Sequence, residues 1–428
     1  MGREEGEWEC VASIAVPGSF DLEKAVCSHG LFMMAPNRWD PSTRALMRPL
    51  RLSDSSLSVM SRISSSSSSS SSCLNLQVLN ATLPPPRRRI SPQDRGWLQS
   101  QVERMLRLSD AEERNLKEFH RIHPEAKARG FARVFRSPTL FEDMVKCILL
   151  CNCQWPRTLT MAKALCQFQL DLKSATSKTN EDFLLVVPST PAATREPTTT
   201  TTTTSRRRKR SSPPKLNHTT TTTTTTDTDH QPPMPSTSDH ETIGIGDFPT
   251  PEELANIDPN VLGRRCNLGY RAPRIVKLAQ SITRGEFQLQ QLQQQEEEEE
   301  ALLHGPSSTL VYDRLAKQLM KIDGFGPFTC ANVLVCMGFY QVIPIDTETI
   351  RHIKTVHAPS CTTKTVQNDV HKVYAKYAPF QFLAYWSELW EFYEKWFGKT
   401  SDMPSSSYHL ITASNMKASK HKKTNNHI

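Results

Sequence analysis

The spacing of apolar residues predicts that most of the folded chain is helical. In the stretch "LVYDRLAKQLMKI", apolar side chains recur at Leu310, Val311, Leu315, Leu319 and Ile322, a spacing that places them on one face of a helix. The stretch "PFQFLAYWSELWEFYEKWF" predicts a second helix, rich in aromatic side chains that we expect to pack in a core. The pattern therefore predicts a mainly α fold.

Polar residues mark where other helices begin. In "TPEELANI", Thr250 is a predicted N-cap, Pro251 suits the first helical position and Glu253 follows the cap by three residues. "SPTLFEDMVKCILLC" has a similar start, with Ser-Pro, then acidic residues, then an apolar face. Both stretches predict capped helices.

The N-terminal part of the chain has a different pattern. Short apolar runs there are mixed with Gly, Pro and Asn, which predicts strands of a small α+β domain in residues 9–85. Tracts of serine (residues 64–72), of threonine and of Gln/Glu bury too little apolar surface to offset their ordering entropy. We expect a helical core in residues 92–170 and 245–398, a disordered basic and threonine-rich insert in residues 171–244, and a disordered tail in residues 399–428.

Composition and charge indicate which classes of partner the protein could bind. The formal net charge is +8 and the sequence pI is about 8.9, which favours an anionic partner. No apolar run approaches the ~18 residues of a membrane span, so we expect no membrane partner. The eleven cysteines are scattered, which predicts reduced thiols. Cys147, Cys151 and Cys153 have no histidine or fourth cysteine at ligand spacing, and we expect no metal site.

The segment "KIDGFGPFTCANV" predicts a helix, a tight hairpin and a second helix. Gly324 and Gly326 permit φ > 0 or close backbone approach, and Pro327 suits a helix start. The unpaired N–H groups at that start could hold a phosphate oxygen. An αα-corner with glycines for steric reasons alone fits the segment equally well.

The stretch "VIPIDTETIRHI" predicts a further helix start soon afterwards. Pro344 forces an extended approach, after which Asp346 or Thr347 caps the helix. Backbone donors at the helix start should favour the ionised form of Asp346. Taken alone, this pattern indicates ordinary N-capping.

Together these stretches resemble the helix-hairpin-helix, Gly/Pro-Asp superfamily of DNA glycosylases. "LMKIDGFGPFTCANVLVCMGF" is similar to the hairpin of that superfamily, and "VIPIDTETIR" is similar to its loop with the catalytic aspartate. "NLGYRAPRIVKLAQSI", "FPTPEELA" and "FEDMVKCILLCNCQW" are similar to helices of the 3-methyladenine and 8-oxoguanine glycosylase branches. The resemblance covers about half of the chain. It implies a two-lobed helical core with a small N-terminal antiparallel β domain.

The resemblance implies that the enzyme flips a damaged base out of double-stranded DNA and hydrolyses its glycosidic bond. Asp346 would be the catalytic carboxylate, stabilising an oxocarbenium-like sugar and orienting or deprotonating a water. Phe328 stands where bifunctional members carry a lysine, which favours a monofunctional enzyme for alkylated bases, with Phe328 and Trp155 in the base pocket. DNA contacts are implied for Gly324, Phe325, Gly326, Thr329, Asn152 and Gln154. Asn152, Gln154 and Trp155 are similar to the region that fills the gap left by the flipped base, and a buried structural role fits them equally well.

Other consequences of the resemblance remain expectations. It implies a monovalent cation that bridges the hairpin carbonyls and a phosphate. Only Cys361 follows Asp346, so we expect no iron–sulfur cluster and no other cofactor. We expect a monomer.

Two alternatives stay open: a glycosylase for oxidised or deaminated bases, and a catalytically inactive DNA-binding protein that keeps the hairpin. Asp323, where the hairpin usually has proline, and the long insert depart from the pattern of the superfamily. "RRRKR" (Arg206 to Arg210) is typical of a nuclear import signal and predicts a nuclear location, with non-specific DNA contact as the alternative.

Overall fold

The computed structural model describes residues 8–55, 57–66, 72–79, 82, 89–176, 246–289, 291–292 and 307–416. Its N-terminal part is a five-stranded antiparallel sheet with the strand order β1-β5-β4-β3-β2. The predicted small antiparallel β domain is therefore confirmed. The strands are β1 (Trp8–Ala15), β2 (Arg38–Asp40), β3 (Ala45–Arg51), β4 (Ser58–Ser65) and β5 (Cys73–Leu79).

The serine tract lies between two paired strands. Ser64 pairs with Asn75 and Ser65 with Leu74, so β4 continues into the tract that we expected to be a loop from residue 64. Backbone pairing to β5 accounts for this difference, since a serine satisfies the ladder as well as any other residue. Residues 67–71 of the tract lie outside the described part of the chain.

The rest of the described chain is mainly helical, as predicted. Short 3₁₀ segments connect some of the helices, for example Gly30–Met33. The α-helices are α1 (Leu22–Val26), α2 (Pro92–Leu106), α3 (Asp110–Ile122), α4 (Pro124–Ala128), α5 (Leu140–Leu150), α6 (Trp155–Thr176), α7 (Pro251–Ala255), α8 (Pro259–Arg265), α9 (Arg271–Thr283), α10 (Ser307–Leu319), α11 (Pro327–Cys336), α12 (Thr347–Val356), α13 (Val366–Tyr374) and α14 (Gln381–Phe397).

One of the two predicted helix starts is confirmed, and the other is displaced by two residues. Thr250 caps α7 with a reciprocal capping box to Glu253, and Pro251 is the first helical residue. Helix α5 begins two residues later than its Ser-Pro signal, with Thr139 as the N-cap. The side-chain caps fix these ends because each satisfies a backbone N–H that has no partner within the helix.

Buried side chains form two clusters. The larger cluster joins the sheet to α2, α5, α6 and α7 to α11. It also includes Tyr408 and Ile411 of the C-terminal segment. The second cluster lies around α12, α13 and α14 and includes Phe119 of α3. This arrangement fits the two-lobed helical core that the sequence predicts.

Buried charges join the sheet to the helices. Arg48 and Arg51 lie on β3, a strand that is buried along its whole length. The Arg48 guanidinium is 2.9 Å from Glu142 on α5, and Lys146 is 2.7 Å from the same carboxylate. Although burial alone would raise it, the pKa of Glu142 is held down to about 2 by Arg48 and Lys146. Strand β3 therefore packs against α5 through ion pairs as well as through apolar contacts.

Two predicted boundaries are wrong. Helix α6 runs to residue 176, so the first residues of the expected disordered insert are helical, while residues 177–245 lie outside the described chain. Residues 400–416, which we expected to be a disordered tail, fold onto the N-terminal part. Trp39 donates its indole N–H to the carbonyl of Ser401 at 2.9 Å, and the Thr400 hydroxyl donates to that of Cys27 at 3.2 Å. These buried hydrogen bonds hold the segment in place.

In the described part of the chain, no helix combines the length and the apolar character needed to cross a membrane.

Candidate active site

A cavity of about 780 Å³ lies where the N-terminal part, the helical core and the C-terminal segment meet. Four residues that the sequence singles out line it together: Asp346, Phe328, Trp155 and Gln154. They come from the starts of α12, α11 and α6, which lie far apart in sequence. The predicted catalytic carboxylate and the predicted base-pocket aromatic residues therefore share one cavity.

Asp346 is the N-cap of α12, with extended backbone torsions of φ −139° and ψ −170°. Its Oδ1 accepts the backbone N–H of Thr349 at 2.8 Å and lies 3.0 Å from the Thr349 hydroxyl oxygen. The Tyr385 hydroxyl donates to the same Thr349 oxygen at 3.2 Å. The capping box thus fixes the carboxylate, and Tyr385 of α14 holds the Thr349 hydroxyl group that contacts it.

The environment of Asp346 raises its pKa above the ordinary 3.8 of an aspartic acid. Burial is the largest cause, and it outweighs the hydrogen bonds from Thr349, which lower the pKa. The donors at the helix start do favour the ionised form, as we expected, but the net shift of the Asp346 pKa is upward because desolvation is the larger effect. The capping donors are too few to offset the loss of water around this carboxyl group.

A pH prediction follows from this shift. Because the pKa in the folded protein is raised, Asp346 takes up a proton at a higher pH than an ordinary aspartic acid. If the carboxylate is the active form, single-turnover base excision should fall on the acid side with a midpoint above 3.8. The check is the excision rate at saturating enzyme between about pH 3 and pH 8. A midpoint at or below 3.8 would show that this carboxyl group does not limit the rate.

The hairpin between α10 and α11 lies outside the lining of the cavity. Gly324 has φ +86°, a left-handed conformation that favours glycine. Gly326 is the N-cap of α11 and, having no side chain, provides no side-chain cap, and Pro327 is the first helical residue as predicted. The hairpin therefore presents backbone N–H groups at a helix start, the arrangement suited to a phosphate oxygen.

The structure buries the side chains of two residues for which the resemblance implies DNA contacts. Thr329 is 1% exposed, and its hydroxyl oxygen lies 3.0 Å from the sulfur of Cys151. Phe325 is 6% exposed and belongs to the larger core cluster. Thr329 lies in the first turn of α11 and Phe325 precedes that helix, and because both side chains are buried, a DNA contact at either position would use the backbone.

The turn between α5 and α6 presents the other predicted contact residues. Asn152 and Gln154 are exposed, and Asn152 has φ +46°, a conformation that asparagine adopts more readily than most residues. Its carbonyl oxygen accepts from the buried Arg271 at 3.2 Å. Gln154 lines the cavity and Asn152 does not. Arg271 thus holds the backbone of the turn, while the side chains of Asn152 and Gln154 are exposed.

Asp323 departs from the expected proline at the hairpin, and the structure gives it a partner. Its carboxylate is 2.7 Å from the ammonium group of Lys277 on α9, and both side chains are exposed. Lys277 lowers the pKa of Asp323 through this hydrogen bond. The negative charge beside the proposed phosphate site is therefore offset by a neighbouring cation.

Gly326→Val tests the phosphate site. A Cβ at residue 326 meets no atom within 4 Å, whereas one at Gly324 would overlap the Arg274 side chain. We expect Gly326→Val to weaken binding to every duplex by about tenfold, the scale of losing a hydrogen bond to a charged group. Affinity measured on lesion-containing and undamaged duplexes checks this.

The matched control for that variant is Gly96→Ala, at another glycine with open space around it. It should bind DNA like the parent. Parent-like affinity of a folded Gly326→Val protein would refute the phosphate-site interpretation of the hairpin.

Part of the cavity wall was not predicted from the sequence. Residues 409–415 of the C-terminal segment line it, and Trp155 donates its indole N–H to the carbonyl of Tyr408 at 3.0 Å. His29 also lines it, and burial, with the nearby Arg107, lowers the pKa of His29 to about 3. Neither the segment nor His29 carries a periodic or capping signal that could have placed it here.

The aromatic helix α14 has two roles. Phe382, Tyr385 and Leu389 are buried, as the core prediction required. Trp386 and Tyr393 of the same helix also line the cavity. The cavity therefore has an aromatic wall that the sequence pattern assigned to core packing alone.

Comparison with solved structures identifies the fold. The 3-methyladenine DNA-glycosylase from Archaeoglobus fulgidus matches over 90% of this chain and 99% of its own, with a TM-score of 0.53 and 13% sequence identity. The fold is that of a DNA glycosylase. The structure of the Clostridium acetobutylicum 8-oxoguanine glycosylase/lyase in complex with double-stranded DNA, which contains cytosine opposite 8-oxoG, matches over 87% of this chain and 92% of its own, with a TM-score of 0.46 and 13% identity. No protein-family model and no curated protein matches the sequence.

The DNA-glycosylase fold agrees with the expectation from the hairpin and the aspartate loop. The hairpin at Gly324 to Pro327 and the capped start of α12 are both present in the structure. The small antiparallel sheet and the helical core are present as well. The predicted fold class is thereby confirmed.

Proposed function

We propose that this protein is a DNA glycosylase of the helix-hairpin-helix superfamily, which flips a damaged base into the cavity and hydrolyses its N-glycosidic bond. The observation that carries the proposal is the position of Asp346, whose carboxylate lies at the wall of a cavity that Phe328 and Trp155 also line. The DNA-glycosylase fold supports it. The substrate would be double-stranded DNA with a damaged base, bound by a monomer.

The chemistry assigned to Asp346 is stabilisation of charge. As the bond between C1′ and the base nitrogen breaks, its electron pair leaves with the base and the sugar gains oxocarbenium character. A fixed carboxylate beside C1′ favours that positive charge. Water then adds to C1′ and loses a proton, for which Asp346 is the acceptor. The Thr349 hydrogen bonds keep the carboxylate in place throughout.

Alkylated bases are the proposed substrate class. Their rings are electron-poor or cationic, and aromatic faces attract positive charge. Phe328 and Trp155, with Trp386 from α14, give the cavity such faces.

A glycosylase for oxidised or deaminated bases is the second candidate. His29 and Asn415 place hydrogen-bonding groups in the same cavity, and these could read the edge of an uncharged base. Release rates from duplexes that carry an alkylated, a deaminated or an oxidised base separate the two candidates.

We also propose that the enzyme is monofunctional and leaves an intact abasic site. Strand cleavage by β-elimination needs an amine that attacks C1′, and no lysine occurs among the described residues that line the cavity. Borohydride should therefore trap no covalent protein–DNA adduct, and product strands should break only after alkali. A control with a known lyase shows that trapping works, and an adduct with this protein would assign it to the bifunctional class.

A nuclear location remains a proposal that rests on the "RRRKR" sequence. Arg206 to Arg210 lie outside the described residues. Mutating the five basic residues to alanine and imaging the tagged protein in cells tests it.

A further inference from the structure

Two histidines and a glutamate converge at the far end of helix α12, away from the cavity. His352 Nε2 lies 2.6 Å and His357 Nε2 lies 2.7 Å from the same oxygen, Oε1 of Glu388 on α14. One ligand atom from each of the three side chains lies within 4.8 Å of the other two. Two imidazoles directed at one carboxylate oxygen are the donor set of many transition-metal sites.

We propose that His352, His357 and Glu388 bind a divalent transition metal ion of the zinc, cobalt or nickel type. Imidazole nitrogen with carboxylate oxygen suits these ions better than magnesium or calcium, which prefer oxygen ligands. The site is independent of the proposed excision chemistry, and it departs from our expectation from the sequence that the protein has no metal site.

Small movements make room for the ion. With metal–ligand distances of about 2.0–2.2 Å, adjacent ligand atoms of a tetrahedral site stand roughly 3.3 Å apart. The two nitrogen–oxygen distances must therefore lengthen by about 0.6 to 0.7 Å. The side chains of His357 and Glu388 are 25% and 29% exposed, so they can shift while His352, which is fully buried, stays in place.

The surroundings set the cost of ligation and orient one ligand. His352 Nδ1 is buried and has no hydrogen-bond partner among the described residues. When Nε2 binds the metal, the ring carries its proton on Nδ1, and the metal bond has to offset this unpaired donor. The Tyr374 hydroxyl donates to Glu388 Oε1 at 3.1 Å and so orients the carboxylate.

The position of the site defines what the ion would do. His352 and His357 lie on and just after the last turns of α12, while Glu388 lies on α14. A bound ion would fasten the two helices to each other. The opposite end of α12 carries Asp346, so the ion would stiffen the helix that holds the proposed catalytic carboxylate. Three protein ligands and an exposed face leave the fourth position for water.

The test uses the full-length protein without a histidine tag, because the chain already contains 13 histidines. Co²⁺ titration should give the visible absorption of a tetrahedral complex with one equivalent bound, and Zn²⁺ should displace it and raise the melting temperature. Mg²⁺ and Ca²⁺ should do neither. X-ray absorption of the zinc-bound protein should show two imidazole ligands.

Variants assign the ligands. His357→Ala and Glu388→Gln should each lower Co²⁺ affinity by about 100-fold or more. Both side chains are partly exposed, so these proteins should fold, which far-UV circular dichroism checks. His371→Ala, at an exposed histidine on α13, should bind Co²⁺ like the parent. Absence of a stoichiometric cobalt complex, or parent-like affinity of both ligand variants, would overturn the proposal.

Discussion

Asp346→Asn should lower single-turnover base excision by roughly 10² or more, the scale of losing one preorganised electrostatic group. Asparagine keeps an acceptor oxygen for the Thr349 N–H, so α12 should keep its cap. DNA affinity should stay near that of the parent or increase, because the change removes a negative charge from the substrate cavity. Rates measured with enzyme in excess over a lesion duplex report this chemical step.

Stability should not account for the loss of activity in that variant. Burial raises the pKa of Asp346, so above that pKa the ionised group costs the folded state free energy relative to its neutral form. The cost is absent below the pKa of the unfolded chain and develops as the pH rises through the folded-state value. Replacing the carboxylate with a neutral amide should leave the melting temperature at neutral pH unchanged or higher.

Asp323→Asn is the matched control for Asp346→Asn. It makes the same chemical change at an exposed carboxylate beside the hairpin, outside the lining of the cavity. Its excision rate should equal that of the parent. If Asp346→Asn excises as fast as the parent, the assignment of Asp346 is wrong.

Arg107→Met should lower the free energy of unfolding by about 3 kcal/mol or more, the cost of breaking a buried ion pair by removing one partner. Arg107 is 1% exposed and forms an ion pair with Glu112, which is also buried. Burial alone would lower the pKa of Arg107, but Glu112 holds it above its ordinary range. The guanidinium also donates to the carbonyl oxygens of Val335 at 2.8 Å and Cys336 at 3.2 Å.

Those two carbonyls are at the C-terminal end of α11, the helix whose start forms the hairpin. Losing Arg107 therefore leaves a buried carboxylate and two helix-end carbonyls with fewer donors. Urea unfolding at neutral pH measures the effect. Arg121→Met removes the exposed pair with Glu118 and should leave the urea midpoint nearly unchanged. Equal midpoints for the two variants would contradict the structural role of Arg107.

Local signals in the sequence predicted the elements around the site. The Thr250 capping box and Pro327 at the start of α11 are where the sequence placed them, and of the two N-caps that the sequence allowed for α12, Asp346 is the one present. Each signal depends on residues within one helical turn. Because short-range backbone donors decide a cap, the sequence is sufficient to locate it.

Features that depend on tertiary contacts could not be predicted in this way. The raised pKa of Asp346 comes mainly from desolvation, which outweighs the donors of the local cap. The buried arginines of β3 meet carboxylates on α5 and α7. The C-terminal segment is ordered by hydrogen bonds to residues near the start of the chain, such as Trp39. None of these partners can be paired from spacing alone.

Base release from defined lesion duplexes tests the central claim most directly. The parent protein, in excess, is incubated with duplexes that contain 3-methyladenine, ethenoadenine, uracil or 8-oxoguanine, and mass spectrometry identifies the free base and the remaining strand. The account predicts release of a damaged base, fastest from an alkylated duplex, with an intact abasic strand and no release from undamaged DNA. Folded protein that binds these duplexes and releases no base from any of them would contradict it.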